Sequence, residues 1–131
     1  MTREAIREQT MQIIFQMDIA GVFDYTKLNP IEENIKVLKK DQTINTLEII
    51  KNHIKDIDAI ISENIDSWAI DRIAKTDLAI LRNAVAEIIY LDNIPNSVAI
   101  SEAVNLAKKY GDEKSYAFIN SVLSKINKNN A

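Results

Sequence analysis

Cysteine is absent, and the 131 residues include only two glycines and two prolines. Without cysteine there is no disulfide, no thiolate nucleophile and no zinc–thiolate site. So few turn-formers disfavour a sandwich or barrel, which needs many turns. Gly21 and Gly111 stand alone, so no glycine-rich loop can cradle a phosphate. Long apolar runs are also missing. Glu and Asp interrupt every stretch, and Met1-Thr2-Arg3-Glu4-Ala5 has no signal-peptide core. Neither secretion nor membrane spanning is expected, which points to the cytoplasm. Basic excess is lacking too: the formal net charge is -3. Nucleic-acid binders usually carry a basic surplus, so RNA binding here would need a local patch or a basic partner.

What remains is 47% hydrophobic and 27% charged. That composition and length suit one domain, 1–131, with a sizeable core. The abundant isoleucines would suggest strands, but their spacing is helical. Ile6, Met11 (or Thr10), Ile13, Ile14 and Met17 form a stripe over Arg3–Ala20, which Gly21 ends in the left-handed conformation. After a loop at 22–28, Asn29-Pro30-Ile31-Glu32 reads as cap, first turn and capping acid of a second helix, running to Lys40. A third helix begins near Thr43. Ile44, Leu47, Ile50, Ile54, Ile57 and Ile61 face its core, with Lys51, Lys55 and Asp58 outside.

Asp66-Ser67-Trp68 predicts a cap and a short fourth helix, 68–73. A fifth, from Thr76 or Asp77 to Leu91, buries Leu78, Leu81, Val85, Ile88 and Ile89. A sixth spans Ser97–Tyr110, with Gly111 as its left-handed stop. A seventh starts near Ser115 as cap and carries Phe118, Val122 and Ile126 on one stripe, with 127–131 frayed. No segment alternates as a strand, and no internal repeat is present. The expected fold is all-α, with about seven helices.

Nothing in the chain looks catalytic. His53 is the only histidine. A ligating His-Glu pair three apart is absent, since Ile50 and Asp56 flank it at that spacing. A Ser-His-Asp triad would lack its elbow glycines. No metal or cofactor is expected.

Two basic clusters stand out. Arg3 and Arg7 lie four apart, on one face near the start of the first helix, where free amides also favour phosphate. The alternative is pairing with nearby acids, Glu4 with Arg7. Lys108, Lys109, Lys114, Lys125 and Lys128 outweigh Asp112 and Glu113 in the last quarter. Tyr116 and Phe118 beside them suit stacking on single-stranded bases. For Phe118 the alternative is a core position on the stripe with Val122 and Ile126.

From Asp71 onward, the order of short motifs is distinctive. Arg72–Arg82 (RIAKTDLAILR) is followed by Glu87, Ile94-Pro95 and Ile100-Ser101-Glu102-Ala103-Val104. Then come Ala107-Lys108-Lys109-Tyr110-Gly111 and Phe118-Ile119-Asn120-Ser121-Val122-Leu123. Near the start, Arg7-Glu8 and Gln12-Ile13-Ile14-Phe15 belong to the same pattern. Together they resemble the NusB family of bacterial transcription antitermination factors. Two departures are conservative: Ser101 stands where Asn is usual, and Ile14-Phe15 where Leu-Tyr is common. A third is larger. The family's arginine-rich start is thin here, with Arg3 and Arg7 interleaved with Glu4 and Glu8.

The resemblance implies two packed helical bundles and no enzymatic activity. It implies binding to boxA leader RNA of ribosomal RNA operons, jointly with a small ribosomal protein that acts as NusE, within an RNA polymerase antitermination complex. The RNA-contacting candidates are then Arg3, Arg7, Lys108, Lys109, Lys114, Ser115, Tyr116 and Phe118. Phe15 and Asp77 are implied in docking the ribosomal protein. Without the resemblance, Phe15 reads as core and Asp77 as a helix N-terminal acid. Free, the chain could be monomeric or homodimeric. An enzyme-class alternative is a NusB-like domain of an RNA cytosine methyltransferase, which would need a downstream Rossmann-type domain that these 131 residues do not contain. A structural helical adaptor is a third reading.

Overall fold

The helix at Lys75–Tyr90 is the hub of the structure, a computed structural model that describes residues 1–65 and 70–130. Ten consecutive residues, from Leu78 to Glu87, are buried. A helix apolar nearly all round must be covered on every side, and the other four long helices cover it. In chain order the helices are α1 (Arg3–Ala20), α2 (Asp41–Glu63), α3 (Lys75–Tyr90), α4 (Asn96–Tyr110) and α5 (Glu113–Asn129). Helix α3 packs against the other four, while α1 also packs on α2, and α4 pairs with α5. No described residue lies in a strand. The fold is all-α, and the expected stripes on α1, α2 and α3 supply its core through Ile13, Met17, Leu47, Ile57, Leu81 and Val85.

Helix α1 is capped as its sequence indicates. Thr2 accepts the Ala5 amide at 3.0 Å, and Gly21 adopts φ 74°, the left-handed stop. Several other expectations are corrected. The second helix is two short 3-10 turns, Glu32–Asn34 and Lys36–Lys39. Asn29 does not cap it. The Ile31 amide donates instead to Gln16 Oε1 at 2.9 Å, and buried Asn34 bonds to Gln16 and Gln12 on α1. These long-range bonds outbid the local cap signal. Helix α2 begins at Asp41, close to the expected Thr43, which is buried and bonds to the Thr10 hydroxyl at 2.8 Å.

Gly111 ends α4 in an extended rather than a left-handed conformation (φ -126°). Its value is space: a Cβ there would lie 2.5 Å from Ser115 Oγ. The cap of α5 is Asp112, whose carboxylate accepts the Ser115 amide at 3.0 Å, so Ser115 is inside the helix. The end of α5, expected to fray, is helical to Asn129, which donates to Asn64 at 2.8 Å; residue 131 lies outside the described residues.

Residues 66–68, the expected cap and start of a short helix, lie outside the described residues; Ile70–Arg72 forms a 3-10 turn. Asp58 is not solvated but forks onto Arg82 at 2.8 and 2.9 Å. Helix α2 kinks at His53 (φ -132°), whose ring stacks on Tyr90 with centroids 4.3 Å apart. Among the described residues no cluster could hold a metal ion, and no helix is long and apolar enough to cross a membrane.

Candidate RNA and partner interface

The start of α5 packs against the start of α3. Asp77 sits in the first turn of α3, and the Ser115 hydroxyl bonds to its carboxylate. Burial, the largest influence, pushes the Asp77 carboxyl above its ordinary value. Ser115 opposes this, and the charge of Asp112 adds to it. Around the pair is an open cleft of about 300 Å³, lined by Arg72, Ala74, Asp77, Lys114, Ser115 and Phe118. The structure therefore joins Lys114, Ser115 and Phe118, expected to contact RNA, to Asp77, expected to dock a protein. Arg72 and Ala74 lie in the Arg72–Arg82 motif, but spacing did not mark them as lining a site.

Phe118 is half-buried and faces this cleft. The residue wholly buried at this point of α5 is Ile119. The stripe through Phe118 was thus offset by one residue at its first position, although Val122 and Ile126 are buried as expected. Tyr116 is half-buried too, on the α4 side of α5, where the Lys108 ammonium lies 5.3 Å from its ring centroid. The aromatics expected to share one surface therefore flank the first turn of α5 on different sides.

Lys109 is exposed but engaged. Its ammonium lies 2.8 Å from Glu8 Oε2 on α1, and the Tyr110 hydroxyl donates to the same carboxylate. Burial would raise the Glu8 carboxyl, but these two bonds outweigh it and hold the group below its ordinary range.

Arg7 is not exposed, so Arg3 and Arg7 do not present one open face to phosphate, and the acid that engages Arg7 most closely is distant in sequence. Only 7% of Arg7 is accessible, and Nη2 donates to Glu87 Oε2 at 2.7 Å while Nε donates to Oε1 at 3.0 Å. Glu102 lies 3.9 Å away. Burial works to depress the guanidinium, but Glu87, Glu102 and Glu4 overcome it, and the group stays charged. Arg3 remains exposed at the rim of a cleft of about 640 Å³ that also contains Glu4, Asp41 and Glu102. Phe15 is half-buried on α1, packed against the core.

The family model for NusB matches residues 4–128. This chain belongs to the NusB family. Transcription antitermination protein NusB of Finegoldia magna is 42% identical to it, covering 96% of this chain and 93% of the relative. NusB of Oceanobacillus iheyensis is also 42% identical, covering 96% and 98%. Among solved structures, T. maritima NusB superposes with a TM-score of 0.83 at 27% identity, covering 100% of this chain and 94% of that one. A chain in the crystal structure of antitermination factors NusB and NusE with double-stranded RNA gives 0.79 at 29% identity, covering 97% and 96%. The family assignment agrees with the motif order from Asp71 onward and with the all-α fold.

Proposed function

We propose that this NusB-family chain is a non-enzymatic transcription antitermination factor that binds RNA together with the small ribosomal protein NusE. The RNA is a single-stranded boxA-type leader element, and the complex acts on RNA polymerase in the cytoplasm. The observation that carries this reading is the α3/α5 cleft. It brings a cation (Lys114), a hydroxyl (Ser115), an open aromatic (Phe118) and a carboxylate (Asp77) within one patch. Aromatic and lysine suit a stacked base and its phosphate, while a carboxylate suits a basic ribosomal protein. RNA and protein would thus meet at adjoining groups. Lys108 and Tyr116 extend the RNA-facing surface. Arg3 offers exposed charge, and Arg7, locked to Glu87, supports the surface from beneath. Phe15 contributes to the protein-docking side. A related complex of NusB and NusE with double-stranded RNA supports the joint binding of partner and RNA.

Partner dependence follows from charge. With a net charge of -3 and Lys109 paired with Glu8, the chain meets phosphates with a net repulsive charge and with one lysine of its candidate RNA surface already engaged. Labelled boxA-type RNA titrated at fixed salt should bind tenfold or more tightly when the ribosomal protein is present, a coupling of about 1.4 kcal/mol. Equal affinities in the two titrations would overturn the joint-binding reading.

A further inference from the structure

A second groove, of about 470 Å³, runs between the outer faces of α4 and α5. Ser97, Ser101, Asn105 and Lys108 line it from α4, and Asn120 and Asn127 from α5. The α4 residues step by four, four and three, which keeps them on one helix face. On α5, Asn120 and Asn127 share a face with Tyr116 for the same reason. Ile100 and Val104 also line the groove and add apolar surface. At one end the Lys108 ammonium lies over Tyr116. At the other, the Asn96 amide donates to Asn127 at 2.7 Å.

Among the described residues no carboxylate lines this groove, in a chain with more acids than bases. The other clefts include Glu4, Asp41 and Glu102 at the α1 end, Asp77 beside Phe118, Glu8 and Glu33 beside Ile31, and Asp18 and Asp71 beside Arg82. A phosphodiester chain is repelled by carboxylates but accepted by amides, hydroxyls and lysine. Amides and hydroxyls also pair with the ribose 2′-OH and with base edges.

We propose that the α4/α5 groove is a second RNA-contacting segment, taking nucleotides that flank those held at the start of α5. From Ser97 to Lys108 the helix rises about 16 Å, room for a short run of single-stranded nucleotides. The strand enters over Lys108 and Tyr116, and the amides and hydroxyls track its sugar–phosphate backbone. This rests on the RNA-binding reading above.

The test uses the full chain with the ribosomal protein and three RNAs: a short boxA-type element, and that element extended by a short run of nucleotides at its 5′ or its 3′ end. One extended RNA should bind the parent about fivefold tighter or more, the gain of one or two neutral hydrogen bonds. The Asn105→Ala/Asn120→Ala variant should lose that gain, yet bind the short RNA with parent affinity and keep the parent melting temperature. Asn105→Asp/Asn120→Asp should reverse the gain by restoring carboxylates. If neither extension tightens binding to the parent, or if the alanine variant keeps the full gain, the groove does not touch RNA. If no RNA binds the parent, the RNA-binding reading itself fails, and this inference with it.

Discussion

Arg7 on α1 and Glu87 on α3 lie 80 residues apart in the chain, yet form a buried two-pronged ion pair with contacts of 2.7 and 3.0 Å. Removing one partner would leave a charge buried and uncompensated, which costs far more than an exposed pair is worth. Arg7→Ala should destabilise the fold by about 3–5 kcal/mol. Exposed Arg3→Ala should stay within about 0.5 kcal/mol. Urea titrations of the two variants measure the contrast. Similar midpoints would show that the Arg7 pair does not hold α1 to α3.

Phe118 and Ile119 should separate along different axes. Ile119→Ala opens a cavity in the core and should cost about 2–5 kcal/mol of stability. Phe118→Ala should cost less stability but about 1–3 kcal/mol of RNA affinity, the worth of one stacked base. Thermal melts and RNA titrations on both variants resolve this. If Phe118→Ala melts as low as Ile119→Ala, Phe118 belongs to the core after all.

Asp77 gives a pH signature. Its folded-state pKa lies above the ordinary carboxylate value because it is partly buried. The fold therefore disfavours its ionised form. That penalty is absent below the unfolded-state pKa and complete above the folded one. Asp77→Asn removes the titration, so the variant's stability relative to the parent should improve as pH rises from 3 to 7. Denaturation midpoints at the two pH values test the sign. A relative stability that worsens over this range would mean that Ser115 and the α3 dipole outweigh burial.

Gly111→Ala should destabilise by about 1–3 kcal/mol, as overpacking does, because the new Cβ would sit 2.5 Å from Ser115 Oγ. Ser115→Ala in the same background should recover part of the loss, since it removes that oxygen. Melting temperatures of the single and double variants decide it. No recovery would place the strain elsewhere.

The long helices were legible because their apolar residues recur at helical spacing, and Gly21 lies where local chemistry alone decides the end of α1. The short segment after Pro30 was misread because Asn34 and Ile31 answer to Gln12 and Gln16 on another helix. Arg7 was misread for the same reason: Glu4 was visible nearby, Glu87 was not. Lys114, Ser115, Phe118 and Asp77 were each selected singly, by charge, by aromatic character or by resemblance. That three sit around one carboxylate depends on how α5 meets α3, which no spacing within either helix encodes. The α4/α5 groove escaped notice because serine and asparagine on an exposed helix face carry no periodic signal of their own.

The Arg7–Glu87 pair also bears on synthesis. A ribosome delivers the N-terminus first, so α1 emerges with its guanidinium unmatched until residue 87 has followed. Glu8 waits longer still, its partners Lys109 and Tyr110 being 101 and 102 positions downstream. Both contacts close loops of most of the chain's length, which is entropically late chemistry. The nascent protein thus carries an open cation on α1 through most of its translation and withdraws it only when α3 docks.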